Sequence, residues 1–410
     1  MKRHLGILLR LLLAAAGVAY IVWALVWTDH LLLPAGMELP DGRTLTAARS
    51  VPLLDGEPGV PGDRLVVALP AAWEAGETLT LDAGAVGTGA GDVQYQPGVV
   101  TTLAGARWSL LGVGVLLVGA LPVLQAFRWL VLLRSQGLDP GPMKTFKLTL
   151  VGLFFNFCMP GMTGGDLVKA YYAAKGSGHR GAAVMSVVFD RVTGLVSIVL
   201  LAGLVGLLML GEPAVRSLTV GVWAGLALLA IGAGTYFSAR VRRRVGVDWL
   251  QRKLGPDNLL TRIDQAAFAY RRQPVAVLTA VGLSLPAHLA QMTATALAGW
   301  ALGIDLSLGV LLTVLPVVFF IGALPITYQG LGVMEGVAIA LLAGVALPGA
   351  SGVTVNQVVG MLLLGRVYLL VYGLLGALVV LRGDIHMFPQ AVAADAADTD
   401  PAERAGTLPA

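Results

Sequence analysis

The sequence predicts an all-α polytopic membrane protein: about six spanning helices plus two re-entrant hairpins in an inverted repeat, with a small extracytoplasmic β insert. Three observations predict it. Of the 410 residues, 56% are hydrophobic and only 13% charged, at a mean hydropathy of +0.79. A soluble domain carries roughly a quarter charged residues, so much of this surface is built to face lipid. Apolar runs of spanning length lie at residues 5–27, 108–130, 181–210, 218–237, 275–299 and 355–381, each close to or above the ~20 residues needed to cross ~30 Å of hydrocarbon. Lys and Arg gather beside alternate runs, as membrane topology requires.

The first run follows Lys2 and Arg3 and continues past the length of a cleaved leader, so residues 1–27 read as an N-terminal anchor. Residues 28–104 differ in texture. They lean acidic, with Glu38, Asp55, Glu57, Asp63, Asp82 and Asp92 among others, and are rich in Gly and Pro. Short β-like runs at 64–69, 78–81 and 92–96 are separated by turn signals such as Pro61-Gly62 and Pro97-Gly98. This is the extracytoplasmic insert.

Two membrane repeats follow, at 105–240 and 274–382, joined by a basic loop at 241–273 that carries Arg242, Arg243, Arg244, Arg252 and Lys253. Apolar residues at helical spacing over 259–272 predict an interfacial helix in that loop. The connection holding Arg128, Arg134, Lys144 and Lys147 is basic as well. Both termini then fall on the cytoplasmic side, and residues 383–410 form a disordered tail.

Two apolar runs do not behave as ordinary spans. Residues 146–159 are too few to cross before Pro160-Gly161 and return to a side already marked by Lys. Residues 306–323 close on Pro325-Ile-Thr327-Tyr-Gln-Gly330-Leu-Gly332 and Glu335; as a simple crossing they would deliver the last helix to the wrong side. Each half therefore reads as a span, a broken hairpin with an acid, and a span with an arginine: Asp166 with Arg191, then Glu335 with Arg366. Paired broken segments in an inverted repeat meet near the midplane and form a substrate site.

A Pro/Gly break frees backbone groups that lipid cannot satisfy, and a half-helix start favours an anion. Arginine inside an apolar span needs a partner or a polar path. Asp166, Asp190, Glu335 and a bound phosphate are the candidate partners of Arg191 and Arg366. Snorkelling of Arg191, a structural ion pair at Arg366, a surface pair between Asp166 and Lys169, and plain close packing at Gly330 and Gly332 are the competing readings. His288 and Gln291 read as core hydrogen-bonding groups or cavity lining. No catalytic set, zinc spacing or nucleotide-binding loop is present in the sequence, and no cofactor or metal is expected. The net charge of +4 sits beside apolar runs, which argues against a nucleic-acid partner. Cys158, the single cysteine, excludes an internal disulfide.

The stretches Asn156-x-x-x-Pro160-Gly161-x-x-Gly164-Gly165-Asp166, Asp190-Arg191 and Pro325-x-Thr327-x-x-Gly330-x-Gly332-x-x-Glu335 resemble the flippase-like family, also called the lysylphosphatidylglycerol synthase transmembrane region. The resemblance runs over about residues 108–382 and leaves the β insert outside it. Many relatives carry Glu-Arg where this chain has Asp190-Arg191, which keeps the charges and shortens the acid. The resemblance implies a bacterial inner-membrane protein that moves or binds an anionic or modified lipid, without the soluble aminoacyl-transfer domain of two-part members. The expectation is a non-enzymatic translocase of an anionic or polyprenyl-phosphate-linked lipid. Its headgroup would be held by Asn156, Pro160, Gly161, Gly164, Gly165, Asp166, Lys169, Asp190, Arg191, Pro325, Thr327, Gly330, Gly332, Glu335 and Arg366. The rival expectations are a secondary carrier of a small polar anion, a membrane transferase acting on a lipid headgroup, and a scaffold subunit. The insert leaves room for an extracytoplasmic partner, and the chain for a homo-oligomer.

Overall fold

The computed structural model describes residues 25–38, 44–58, 63–68, 78–87, 92–158, 164–175, 180–211, 213–236, 264–265, 268–324, 327–343 and 353–382, with 238, 240 and 244. Most of the expected N-terminal anchor, half of the interfacial helix at 259–272, the tail at 383–410, and Pro160, Gly161 and Pro325 lie outside these residues.

The insert is a five-stranded antiparallel sheet in the order β4-β3-β2-β1-β5. Its strands are β1 (His30–Leu33), β2 (Arg49–Asp55), β3 (Arg64–Ala68), β4 (Thr78–Asp82) and β5 (Gln94–Gln96). Alternation places Leu31, Leu33, Val51, Leu65, Val67 and Leu79 on one face, where they form a closed apolar core. Asp29 ties the last strand to the helix that follows. It accepts hydrogen bonds from the Tyr95 hydroxyl at 2.9 Å, the Gly98 amide at 2.6 Å and the Thr101 hydroxyl at 3.1 Å.

The helical part begins with α1 (Val99–Ala104) and continues as α2 (Trp108–Val118), α3 (Ala120–Ser135), α4 (Pro142–Cys158), α5 (Gly164–Ala174), α6 (Arg180–Leu208), α7 (Pro213–Tyr236), α8 (Pro274–Ala301), α9 (Leu308–Ala323), α10 (Val333–Ala338, extended by a π-turn at Ile339–Ala343) and α11 (Val355–Leu381). Among the described residues, five helices are long and apolar enough to cross a membrane: Trp108–Ser135, Gly181–Leu208, Thr219–Tyr236, Pro274–Ala301 and Val355–Leu381. They coincide with the five expected runs that fall in the described region. The first of them is α2 and α3 together, broken at Gly119 just before Pro122, which lacks the N–H that would continue the ladder.

The two halves share one plan. In the first, α2 and α3 lead to the short pair α4–α5 and then to α6. In the second, α8 leads to the short pair α9–α10 and then to α11. The leading spans end alike, each with a left-handed glycine followed by a six-residue back-bond. Gly137 (φ 76°) precedes the Leu138 amide bonded to Leu133 O, and Gly303 (φ 84°) precedes the Ile304 amide bonded to Gly299 O. The leading spans also run in opposite directions. The Arg107 amide at the start of α2 bonds Ala301 O at the end of α8, while the Tyr270 hydroxyl just before α8 reaches Leu132 O near the end of α3.

Packing crosses between the halves in an equivalent way: α4 lies along α11, and α9 lies along α6. Glycine sets these distances. A Cβ on Gly376 of α11 would strike the Leu150 carbonyl of α4, and one on Gly114 of α2 would meet the Tyr368 ring of α11 at 2.9 Å. Helix α7 stands outside this plan and packs on α6.

Each short pair is closed by glycine against glycine. In the first, Gly165 of α5 sits on the carbonyl of Gly152 of α4; in the second, a Cβ on Gly330 would come within 2.7 Å of Gly322 Cα on α9. The second break also uses backbone that only glycine adopts freely, with φ of 69° at Gly330 and 80° at Gly332. The Cβ sides of Gly165 and Gly330 are thus filled by neighbouring helix backbone.

Candidate functional site: a charged cavity between the two halves

Four helices of each half, together with the second break, line a cavity of about 330 Å³. The first half contributes Gln125 and Arg128 from α3, Asn156 from α4, Asp166 and Lys169 from α5, and Asp190 and Arg191 from α6. The second contributes His288 and Gln291 from α8, Phe319 from α9, Gln329 from the break and Arg366 from α11.

Asp190 is the centre of the first cluster. It is 4% exposed, and each carboxylate oxygen takes one cation: Arg128 Nε at 2.7 Å from Oδ1 and Lys169 Nζ at 2.9 Å from Oδ2. Arg128 also donates to the Ser284 hydroxyl at 3.0 Å. The Lys169 ammonium lies 4.4 Å from the centre of the Trp129 ring, whose indole N–H donates to Ser186. One buried carboxylate between two cations offsets the charge of only one of them, so the cluster carries an excess positive charge out of water.

Two further ion pairs repeat across the halves. Arg191 pairs with Asp166, and Arg366 pairs with Glu335, so in both units the acid of the short pair reaches the arginine of the following span. Glu335 is fully buried and its other oxygen accepts from the Gly332 amide at 2.8 Å, which closes the start of α10. The Asn156 side chain accepts from the Gly165 amide at 3.1 Å and so fastens α5 to α4. His288 Nε2 lies 3.1 Å from Gly194 O, a bond from α8 to α6.

Of the residues expected at the site, Asn156, Asp166, Lys169, Asp190, Arg191 and Arg366 line the cavity, and Glu335 is bonded to a lining residue. Gly164 and Gly165 form the buried start of α5, while Thr327, Gly330 and Gly332 shape the second break. Lys169 pairs with Asp190 rather than with Asp166, which corrects the reading of a surface helix pair. Arg128 is the residue missed. The sequence places it in a basic connection, yet α3 runs on to Ser135 and buries it at 8% exposure. Gln125, one turn earlier, shares its face, and that polar pair inside an apolar run was the available signal.

Four cations (Arg128, Lys169, Arg191, Arg366) face three carboxylates (Asp166, Asp190, Glu335), which leaves a formal charge of 4 − 3 = +1 inside an apolar bundle. Among the described residues, no group of His, Cys, Asp and Glu is placed to hold a metal ion.

The fold and this interior define a multi-pass membrane protein built from two oppositely directed units around a shared charged cavity. The family model described as the lysylphosphatidylglycerol synthase TM region matches residues 97–376, and the chain belongs to that family. That membership carries a membrane lipid-related function. No curated relative and no solved structure matches the chain.

Proposed function

We propose that the protein translocates a lipid with a phosphate-bearing headgroup across the bacterial inner membrane, with both short helix pairs entering the bilayer as re-entrant hairpins. The observation that carries this reading is the excess positive charge of the cavity, set between units of opposite direction. Charge in such a place is costly unless it meets an opposite charge, and a single phosphate supplies it.

In this reading the headgroup enters the cavity while its tails stay in lipid. Arg191 and Arg366 exchange their carboxylate partners for the phosphate, and Asp166 and Glu335 receive the arginines back when the lipid leaves. Arg128 and Lys169 hold the remaining charge close to Asp190, and the amides of Gln125, Gln291 and Asn156 complete the hydrogen bonding. Arginine suits this exchange because its planar donors match carboxylate and phosphate alike. Each cavity carboxylate is engaged by a cation, which favours a carrier over a transferase that needs a free acid or base. In this reading both termini lie in the cytoplasm, on the side of the more basic connections.

The test is scrambling of fluorescent phosphatidylglycerol in liposomes that hold the purified protein. Losing a charge-assisted contact of ~1.5–3 kcal/mol lowers the rate roughly 10- to 100-fold, so Arg366→Ala is expected to scramble at least about tenfold more slowly than the wild type. Equal rates in the two proteins sink the proposal.

A further inference from the structure

We infer that Gln329 is a positioning residue that latches the second helix break to the end of α4, and that an anion drawing on Arg366 releases it. The inference rests on the functional reading above for its trigger, and on geometry alone for the latch.

Gln329 has φ 49° and ψ 28°, and it is the one non-glycine with a left-handed φ among the described residues. The same break uses glycine at its two other left-handed positions, Gly330 and Gly332. A long amide at the third is therefore there for its side chain, since glycine or asparagine would hold the backbone with less strain.

That side chain crosses to the other half. Its Nε2 donates to the Asn156 carbonyl at 2.7 Å. In a continuing helix this carbonyl would accept from the residue four places on, and that residue is Pro160, which has no N–H. Gln329 supplies this carbonyl with a donor from the other half. Asn156 in turn holds α5 through its side chain, so the contact joins both arms of the first pair to the second break.

The carbonyl of Gln329 faces the charged site. Arg366 Nη2 donates to it at 3.4 Å while Nη1 holds Glu335. The longer bond is the weaker of the two. A phosphate that takes Nη2 removes the contact that helps keep Gln329 in its left-handed state. The residue then relaxes toward the ordinary helical region, its amide swings away from Asn156, and the second break parts from α4.

Spin labels on the native Cys158, at the exposed end of α4, and on Leu331→Cys, in the second break, report that separation in full-length protein in nanodiscs. In phosphatidylcholine the labels are expected to show one close population. Gln329→Asn keeps the left-handed backbone and the amide but is one carbon short of Asn156; it is expected to enlarge the separated population about fivefold. Gln329→Gly, which removes backbone strain altogether, is expected to do the same and guards against misfolding of the first variant. An unchanged distance in both variants overturns the latch.

Phosphatidylglycerol is expected to raise the separated population of the wild type to the level of the variants. If the nanodisc protein retains phosphatidylglycerol and the wild-type distance stays fixed, the trigger is overturned while the functional reading survives. If the protein retains no phosphatidylglycerol but both variants still separate, the functional reading and the trigger fall together and the latch stands. A merely structural glutamine would change the variants and leave no lipid dependence in the wild type.

Discussion

The two halves use one frame and fill it differently. Asp166 in the first and Glu335 in the second each bind the arginine of the following span. Three residues beyond those acids, the first half has Lys169 and the second has Ala338, both buried. Immediately before the arginines, the first half has Asp190 and the second has Gly365. Asp190 takes Arg128 from the leading span α3, whereas Gly365 makes room for Thr295 of the leading span α8, at 3.0 Å from an added Cβ. The repeat therefore supplies one neutral ion pair per half. The excess charge comes from the first half alone, through Arg128 and Lys169 set against a single Asp190. Symmetry builds the cavity, and its departure from symmetry gives the cavity a sign.

Substitutions break this comparison in graded steps. The largest loss is expected from Asp190→Ala, which strands Arg128 and Lys169 without their shared counter-ion. A cost of ~3–5 kcal/mol follows from breaking a buried ionic group, read as a fall in the midpoint of thermal unfolding in detergent. Glu335→Gln removes only one partner of an arginine that still faces the cavity, and is expected to cost about 1.5–3 kcal/mol by the same measurement. An equal loss in both variants would show that the halves are energetically alike despite their different charges.

The glycine seams sharpen the frame itself. Gly165→Ala places a methyl on the Gly152 carbonyl, and Gly330→Ala adds left-handed strain to a clash with Gly322. Each is expected to destabilise by about 1–3 kcal/mol, with Gly330→Ala the worse of the two in the same thermal series.

The smallest effect belongs to the insert. Burial, with the neighbouring Asp29 carboxylate, pushes the Tyr95 hydroxyl up to about 12. A raised value means that the protonated form is favoured in the folded state. Its contribution is therefore whole below the unfolded value near 10 and lost as the pH climbs through about 12. Tyr95→Phe is expected to cost about 1 kcal/mol and to abolish that alkaline step, followed through tyrosinate absorbance.

Hydropathy made the spans legible, because a lipid-facing helix writes its length directly into composition. The pairing of Arg191 and Arg366 with acids of the broken segments followed from the cost of charge in an apolar run. Arg128 was hidden for the converse reason: it stands near Arg134 at the end of a run, where basic residues ordinarily mark the interface, and only the continuation of α3 to Ser135 buries it. The pairing of Lys169 depends on which way α5 faces, and its three-residue offset from Asp166 says nothing of that. In the insert, β3 and β4 alternate plainly, but β1 reads as three consecutive leucines and β2 carries Pro52, so neither announces itself as a strand.

Asn356, at the first turn of α11, accepts from the Val26 amide at 2.9 Å and donates to the carbonyls of Val26 and Pro97, at 2.7 and 2.8 Å. On the same rim the Arg107 guanidinium bonds Trp300 O at 2.8 Å. Chain from the beginning of the protein is thereby stapled to helix ends from its last third. A pull on the β sheet is therefore delivered to the starts of α2 and α11 and to the end of α8.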